Sequence, residues 1–447
     1  MKGVFRGVFG PARVRVGALC AVSFVAGALT RRAAAGEGPY DLVRQLGRVL
    51  VMVENEYVDP VDRSRLLEGG LKGMVGELDP HSSYLPPDDY KIFEADTKGE
   101  FGGIGVEVDF RNETVVVIAP LEGSPAEQAG IRSGDRIVAI DGASVRGQSM
   151  QDLVRKMRGK PGTTVVVSVS HGESEKLVHY TLTRKIIQVE SIASKLLEGN
   201  VAYVRIKQFQ SGTHDELLNA VGKLRESSRG PIAGVLLDLR NDPGGLVDEA
   251  SATADEFLDG GIIYSTRHRG KTVDEVRAGS GGALSREPMV VLVNEYSASA
   301  AELLAGALQD QKRATIVGAT TFGKGSVQSI VDLPGGAALR LTTMRYYTPG
   351  GHAIQAQGIR PDVAVPSGGS GFGVVRESDL ENHLPAEGRP EEPGSGTARP
   401  FRIEGADGGA PPPPVLITGR DVPTDPSKGK DVALATGYRI LREKLKR

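Results

Sequence analysis

The sequence predicts an α/β chain whose core is a parallel sheet covered on both faces, with a small α+β domain inserted ahead of it and a helical segment at the front. Three observations carry this. Residues 289–293 are wholly apolar and residues 234–239 are apolar but for Asp238, both of strand length and set between helical stretches, and a strand without polar alternation is one buried on both faces. Between about Gly99 and Lys185 the pattern changes to short strands and turns. Residues 37–98 instead repeat apolar side chains with helical spacing. At 447 residues the chain is also too long for one ordinary core.

Residues 1–36 read as an export signal or membrane anchor. Lys2, Arg6, Arg13 and Arg15 precede an apolar stretch over 16–29, then Arg31-Arg32 and Ala33-Ala34-Ala35-Gly36. That stretch is shorter than the roughly 20 residues of a usual spanning helix, which leaves cleavage and tethering both open. Leu19 stands before Cys20 where a lipoprotein signal needs a small residue, so Cys20 reads as one more apolar residue of the signal. A single cysteine excludes a disulfide framework and a thiolate metal cluster, and the seven histidines lack H-E-x-x-H spacing, so no metal and no cofactor are expected. A net charge of -2 without a long basic run gives no footprint for nucleic acid.

Within 37–98, Leu42, Leu46, Val49, Val53 and Tyr57 predict one amphipathic helix and Leu67, Leu71, Met74 and Leu78 another, before the turn-rich run from Asp79 to Pro87. His81 in that run reads as a satisfied loop or core histidine. Within 99–186, Ser124-Pro125-Ala126-Glu127 is a helix start, with Ser as cap, Pro at the first position and Glu as capping-box partner. Asp141-Gly142 predicts a hairpin-type turn, and Met150, Leu153, Val154 and Met157 a second helix. Within 187–366, strands are expected at 201–206, 234–239, 289–293 and 315–317, and helices after a Thr213–Glu216 cap and over 247–258 and 300–309. Residues 367–430, rich in Gly, Pro, Ser and Glu, read as a flexible linker. In 431–447, Leu434, Tyr438, Leu441 and Leu445 predict a final helix whose apolar face needs a partner.

Open parallel sheets place chemistry beyond the carboxyl ends of their strands, which directs attention to three loops. Asp242-Pro243-Gly244-Gly245 follows the first buried strand, and paired glycines there free backbone N–H groups for an oxyanion, or simply make a turn. Ser297-Ala298-Ser299-Ala300-Ala301-Glu302 opens a helix. Ser299 gains from the dipole as a nucleophile, yet with Glu302 it equally fits a capping box. In Phe322-Gly323-Lys324-Gly325, a lysine held between glycines becomes a base once burial lowers its pKa from about 10.4. Gln328, four residues on along an extended stretch, is placed to orient the amine.

Residues 99–185 resemble a PDZ domain, on Gly103-Ile104-Gly105-Val106 and on Gly123-Ser124-Pro125-Ala126-Glu127-Gln128-Ala129-Gly130-Ile131 with Ser133-Gly134-Asp135. In that family such a loop, here Gly103, Ile104, Gly105 and Val106, holds a C-terminal carboxylate while the peptide adds a strand to the sheet. The three loops, with Leu78-Asp79-Pro80-His81-Ser82-Ser83-Tyr84-Leu85, resemble the carboxyl-terminal processing peptidases from about Tyr57 to Pro366. That resemblance implies a protease core of the ClpP/crotonase-like type. It also implies Ser299 as nucleophile, Lys324 as general base, Gln328 as its orienter, and Gly245 and Ala300 as oxyanion donors. His81 has no catalytic role in that family. The expected partners are protein or peptide substrates with apolar C-termini, with an adaptor protein or a homo-oligomer admitted by the resemblance. The expected location is a bacterial-type cell envelope, with the N-terminal segment reaching the membrane if uncleaved. Asp242 departs from the family's usual Asn, and Glu295-Tyr296 stand where Gly is common. A non-catalytic PDZ scaffold and a crotonase-like acyl-CoA enzyme are the competing readings.

Overall fold

The computed structural model describes residues 39–111, 114–148, 150–171, 176–365, 375–387, 422–429 and 431–446, and the export signal expected over 1–36 lies outside them. The chain divides into two compact units at Gly73. The first holds helix α1 (Pro39–Glu56) and most of α2 (Arg63–Gly76), as the periodicity predicts. Leu42, Leu46 and Val49 of α1 are exposed. No described helix is long and apolar enough to cross a membrane.

In the second unit, β1 (Ser83–Leu85), α3 (Pro87–Thr97) and β2 (Glu100–Gly103) lead into the inserted domain. Its sheet runs through β3 (Val106–Arg111), β4 (Thr114–Pro120), β5 (Arg136–Ile140), β6 (Ala143–Ser144), β7 (Thr164–Ser170) and β8 (Leu177–Thr183), with short α4 (Pro125–Ala129) and α5 (Met150–Met157). The predicted cap is present: Ser124 Oγ accepts the Glu127 N–H at 3.2 Å. The reciprocal arm lands one residue early, with Glu127 Oε2 accepting from Gly123 at 2.7 Å. Asp141-Gly142 makes the predicted hairpin between β5 and β6, with φ of 50° and 76°. Strand β9 (Lys185–Gln188) pairs with β2 and closes the insertion.

The core sheet has the order β10-β11-β12-β15-β16-β19, formed by Ile192–Leu197, Val201–Ile206, Gly234–Asp238, Met289–Val293, Ala314–Gly318 and Val363–Ala364. All its pairs are parallel except the edge pair of β10 with β11. The apolar runs have a simple cause: alternate residues enter two separate cores. Val235, Leu237, Met289, Val291 and Val293 join the core under α6 (Thr213–Ser227), α7 (Val247–Phe257) and α8 (Ala300–Asp310). Leu236, Val290 and Leu292 face Leu434, Tyr438 and Leu441 of α9 (Val432–Lys444), which is the missing partner of the last helix. A second, antiparallel sheet that the periodicity did not announce joins β1, β13 (Gly261–His268), β14 (Lys271–Ala278), β17 (Ser326–Asp332) and β18 (Ala338–Tyr347).

Two expectations are corrected. Helix α6 is capped by Gly212, because the Thr213 hydroxyl binds the Gln210 N–H at 3.0 Å and Ser191 at 2.8 Å. Glu216 is diverted to the backbone of Ser191 and Ile192. Within the expected linker, residues 375–387 are described and Glu377 is fully buried there. Docking of α9 is tight enough to test. A side chain at Gly437 meets Leu292 Cδ2 at 2.6 Å, so Gly437→Leu is expected to cost about 1–3 kcal/mol by overpacking. Urea unfolding of the full chain checks this, and an unchanged midpoint contradicts the packing.

Candidate active site

The three loops that follow β12, β15 and β16 converge, and side chains tie them together. Ser297 Oγ donates to Leu239 O at 2.8 Å, the Asn241 N–H donates to Asn294 Oδ1 at 2.9 Å, and the Ala298 N–H donates to Asp242 O at 2.9 Å. The Phe322 N–H then reaches Ser297 O at 3.0 Å. Behind the first loop, Arg240 binds Asp238 through Nε at 2.9 Å and a terminal nitrogen at 2.7 Å. Its other terminal nitrogen holds Asp431, the N-cap of α9, at 2.8 Å. Burial works against ionising Asp238, but the guanidinium outweighs it and holds the carboxyl below its usual range.

Ser299 stands at the N-terminus of α8 with φ 54° and ψ -115°, a backbone conformation that a side chain rarely adopts. The expected capping box is present, with the carboxylate of Glu302 accepting the Ser299 N–H at 2.8 Å. Glu302 has a larger duty than capping. Its Oε2 also accepts the Lys324 N–H at 2.9 Å, and its Oε1 accepts the Gly323 N–H at 2.7 Å and bonds the Thr321 hydroxyl. One oxygen atom therefore holds the backbone of both Ser299 and Lys324. Complete burial pushes the Glu302 carboxyl up to about 7 against these donors.

Gly244 and Gly245 lie close against this pair. A Cβ on Gly244 meets Ser299 Cβ at 2.8 Å and Ala300 N at 2.9 Å, and one on Gly245 falls 1.9 Å from Phe209 O, so glycine is required at both. Among the described residues the N–H groups of Gly245 and Ala300 donate to no hydrogen bond. Asp242 accepts the Gly244 N–H at 2.8 Å, and burial pushes its carboxyl well up, favouring the neutral acid that matches the shape of the usual amide.

Lys324 is partly buried, and desolvation pushes its amine down to about 8, with Arg340 adding to the fall and Glu377, Asp79 and Glu302 opposing it. The expected bond from Gln328 to this amine is not among those of the described residues. A register shift between Val327 and Gln328 turns the strand there, and Gln328 Nε2 binds Ser326 at 2.9 Å and Thr342 at 3.2 Å. Thr342 in turn donates to Asp79 at 3.1 Å. In the inserted domain, Gly103 ends β2 and Val106 begins β3. Ile104 is buried in the domain core, and the carbonyls of Ile104 and Gly105 accept from Ala126 and Leu121, both at 2.9 Å.

Residues 200–365 match the family model described as Peptidase family S41. The chain is also similar to the carboxy-terminal-processing protease of Bartonella bacilliformis, 38% identical over 415 residues that cover 91% of this chain and 89% of that protein. The chain belongs to the S41 carboxy-terminal processing proteases. Residues 116–169 match a PDZ domain and 27–88 the activating protease CtpB N-terminal domain. A probable CtpA-like serine protease of Staphylococcus aureus is 37% identical over 326 residues, covering 72% of this chain and 64% of that protein. A solved photosystem II D1 C-terminal processing protease is 32% identical with a TM-score of 0.46, covering 69% of this chain and 84% of that one.

This S41 peptidase therefore carries, besides the expected residues, a clamp that the sequence reading missed. The clue was present, because Glu302 is the lone charge in the otherwise apolar run 300–308. Glu302→Gln replaces an acceptor by an NH2 group that faces the Gly323 N–H in one amide orientation and those of Ser299 and Lys324 in the other. It is expected to cost about 1–3 kcal/mol of stability for the unsatisfied donor and to lower kcat at least about tenfold. Urea unfolding and peptide hydrolysis measure the two effects, and wild-type values in both contradict the clamp.

Proposed function

We propose that this S41 peptidase is an endopeptidase that uses a Ser299–Lys324 dyad, captures protein C-termini in its PDZ domain and works in the cell envelope. The observation that carries the dyad is the single Glu302 oxygen accepting the N–H groups of both Ser299 and Lys324. In the proposed reaction the neutral Lys324 amine takes the Ser299 hydroxyl proton as Oγ bonds to the peptide carbonyl carbon. The Gly245 and Ala300 N–H groups hold the oxyanion. Breaking the C–N bond passes the lysine proton to the leaving amine. Water, deprotonated by Lys324, then hydrolyses the acyl-enzyme and returns the proton to Ser299. Gln328 supports β17, which follows the lysine loop, through Ser326 and Thr342.

The pKa makes this workable. A lysine at about 8 is neutral in roughly one molecule in ten at pH 7, against a few in ten thousand for a free lysine. Capture of apolar C-termini rests on the PDZ match and on its Gly103–Val106 loop, and the envelope location rests on residues 1–36.

Ser299→Ala and Lys324→Ala are each expected to abolish cleavage of a flexible substrate with an apolar C-terminus. A wild-type rate in Lys324→Ala defeats the dyad. Because the neutral amine is the active form, kcat/KM should rise with pH and level off above about 8. Lys324→Met removes a buried ammonium, so at pH 7 it should raise Tm by a few degrees while abolishing activity. A lowered Tm would show that the amine is not desolvated.

A further inference from the structure

We propose that Glu377, which lies beyond residues 200–365 matched by the family model, is a positioning residue for Lys324 that holds the lysine loop from both sides. The inference rests on the reading of Lys324 as the base. The Glu377 N–H donates to Phe322 O at 3.2 Å, two residues before the lysine. Its Oε1 accepts Gln355 Nε2 at 2.8 Å, and Gln355 Oε1 accepts the Gly325 N–H at 3.0 Å, one residue after the lysine. The segment between Phe322 and Gly325 is thus bracketed by one residue from the far end of the chain.

The carboxylate is anchored on its other side by His81, whose Nε2 lies 3.0 Å from Oε1 and 2.8 Å from Oε2. Asp79 orders the same turn by accepting the N–H groups of His81 and Ser82, both at 2.9 Å. Glu377 is completely buried, and burial lowers the His81 pKa, which favours the neutral imidazole beside it. A surface role does not explain a fully buried carboxylate with these partners.

Besides burial, the charge of Arg340 lowers the Lys324 pKa, and Glu377, Asp79 and Glu302 oppose the fall. Glu377 therefore fixes the loop and, with Asp79 and Glu302, opposes the fall in the amine's basicity. A base needs both, since an amine with too low a pKa accepts the serine proton poorly.

Two full-length variants separate these duties. Glu377→Gln keeps the shape and removes the charge, so Lys324 should lose its proton at lower pH. The acidic limb of kcat/KM should move the same way, with kcat down about tenfold. Gln355→Met cuts the tie to Gly325 and keeps the charge, so kcat should fall with the limb in place and KM little changed. Lys324 is titrated directly by NMR of isotope-labelled lysine in the Ser299→Ala protein, its resonance assigned by its loss in Lys324→Met. An unmoved Lys324 titration in Glu377→Gln, or a wild-type kcat in Gln355→Met, overturns the inference. A shifted titration that the rate profile ignores instead overturns Lys324 as the base.

Discussion

The arrangement of the three converging loops depends on one buried carboxylate. Glu302 sits in the first turn of α8, where the helix dipole favours a negative charge, and its two oxygens take donors from Ser299, Thr321, Gly323 and Lys324. Such a group is costly to bury without partners and strongly directing when fully partnered. Its pKa near 7 measures the balance: burial favours the proton and the N–H groups oppose it. The Thr321 hydroxyl accepts the Ile359 N–H at 2.7 Å and can either donate to Glu302 or accept from it, so the clamp survives in both protonation states.

The same constraint accounts for the unusual backbone of Ser299. Here the carboxylate takes the Ser299 N–H, while the positive φ turns the residue out of the helical path. Strain of this kind costs on the order of 1–3 kcal/mol and persists only where its surroundings over-determine it. The ties from Asp242, Gly244 and Phe322 to the 297–300 loop supply that determination.

The legible parts of the sequence were those governed by local or periodic rules. The strands at 201–206 and 289–293, the Ser124 cap and the Asp141-Gly142 turn follow from burial on two faces, capping chemistry and turn chemistry, and the structure reproduces them. The convergence of three loops followed from where parallel strands end. What was not legible depends on contacts across long separations. Thr213 and Glu216 have the form of a capping pair, yet Ser191 and Gln210 claim them instead. Gln328 has the spacing to reach Lys324, yet a register shift sends its amide to Thr342. No periodicity could announce either competitor.

Glu377 shows the sharpest form of this limit. Its segment lies in a stretch whose Gly and Pro content reads as a linker, and composition reports the average of a stretch rather than its one ordered turn. His81, 296 positions earlier, reads alone as a satisfied core histidine. That reading is structurally right, and its importance lies in what satisfies it: a carboxylate bonded through Phe322 and Gln355 to both flanks of Lys324. A lysine base needs an environment dry enough to lower its pKa and rigid enough to hold the amine in one place. Burial supplies the first for any lysine in this loop, whereas the second requires anchors outside it, drawn from both ends of the chain.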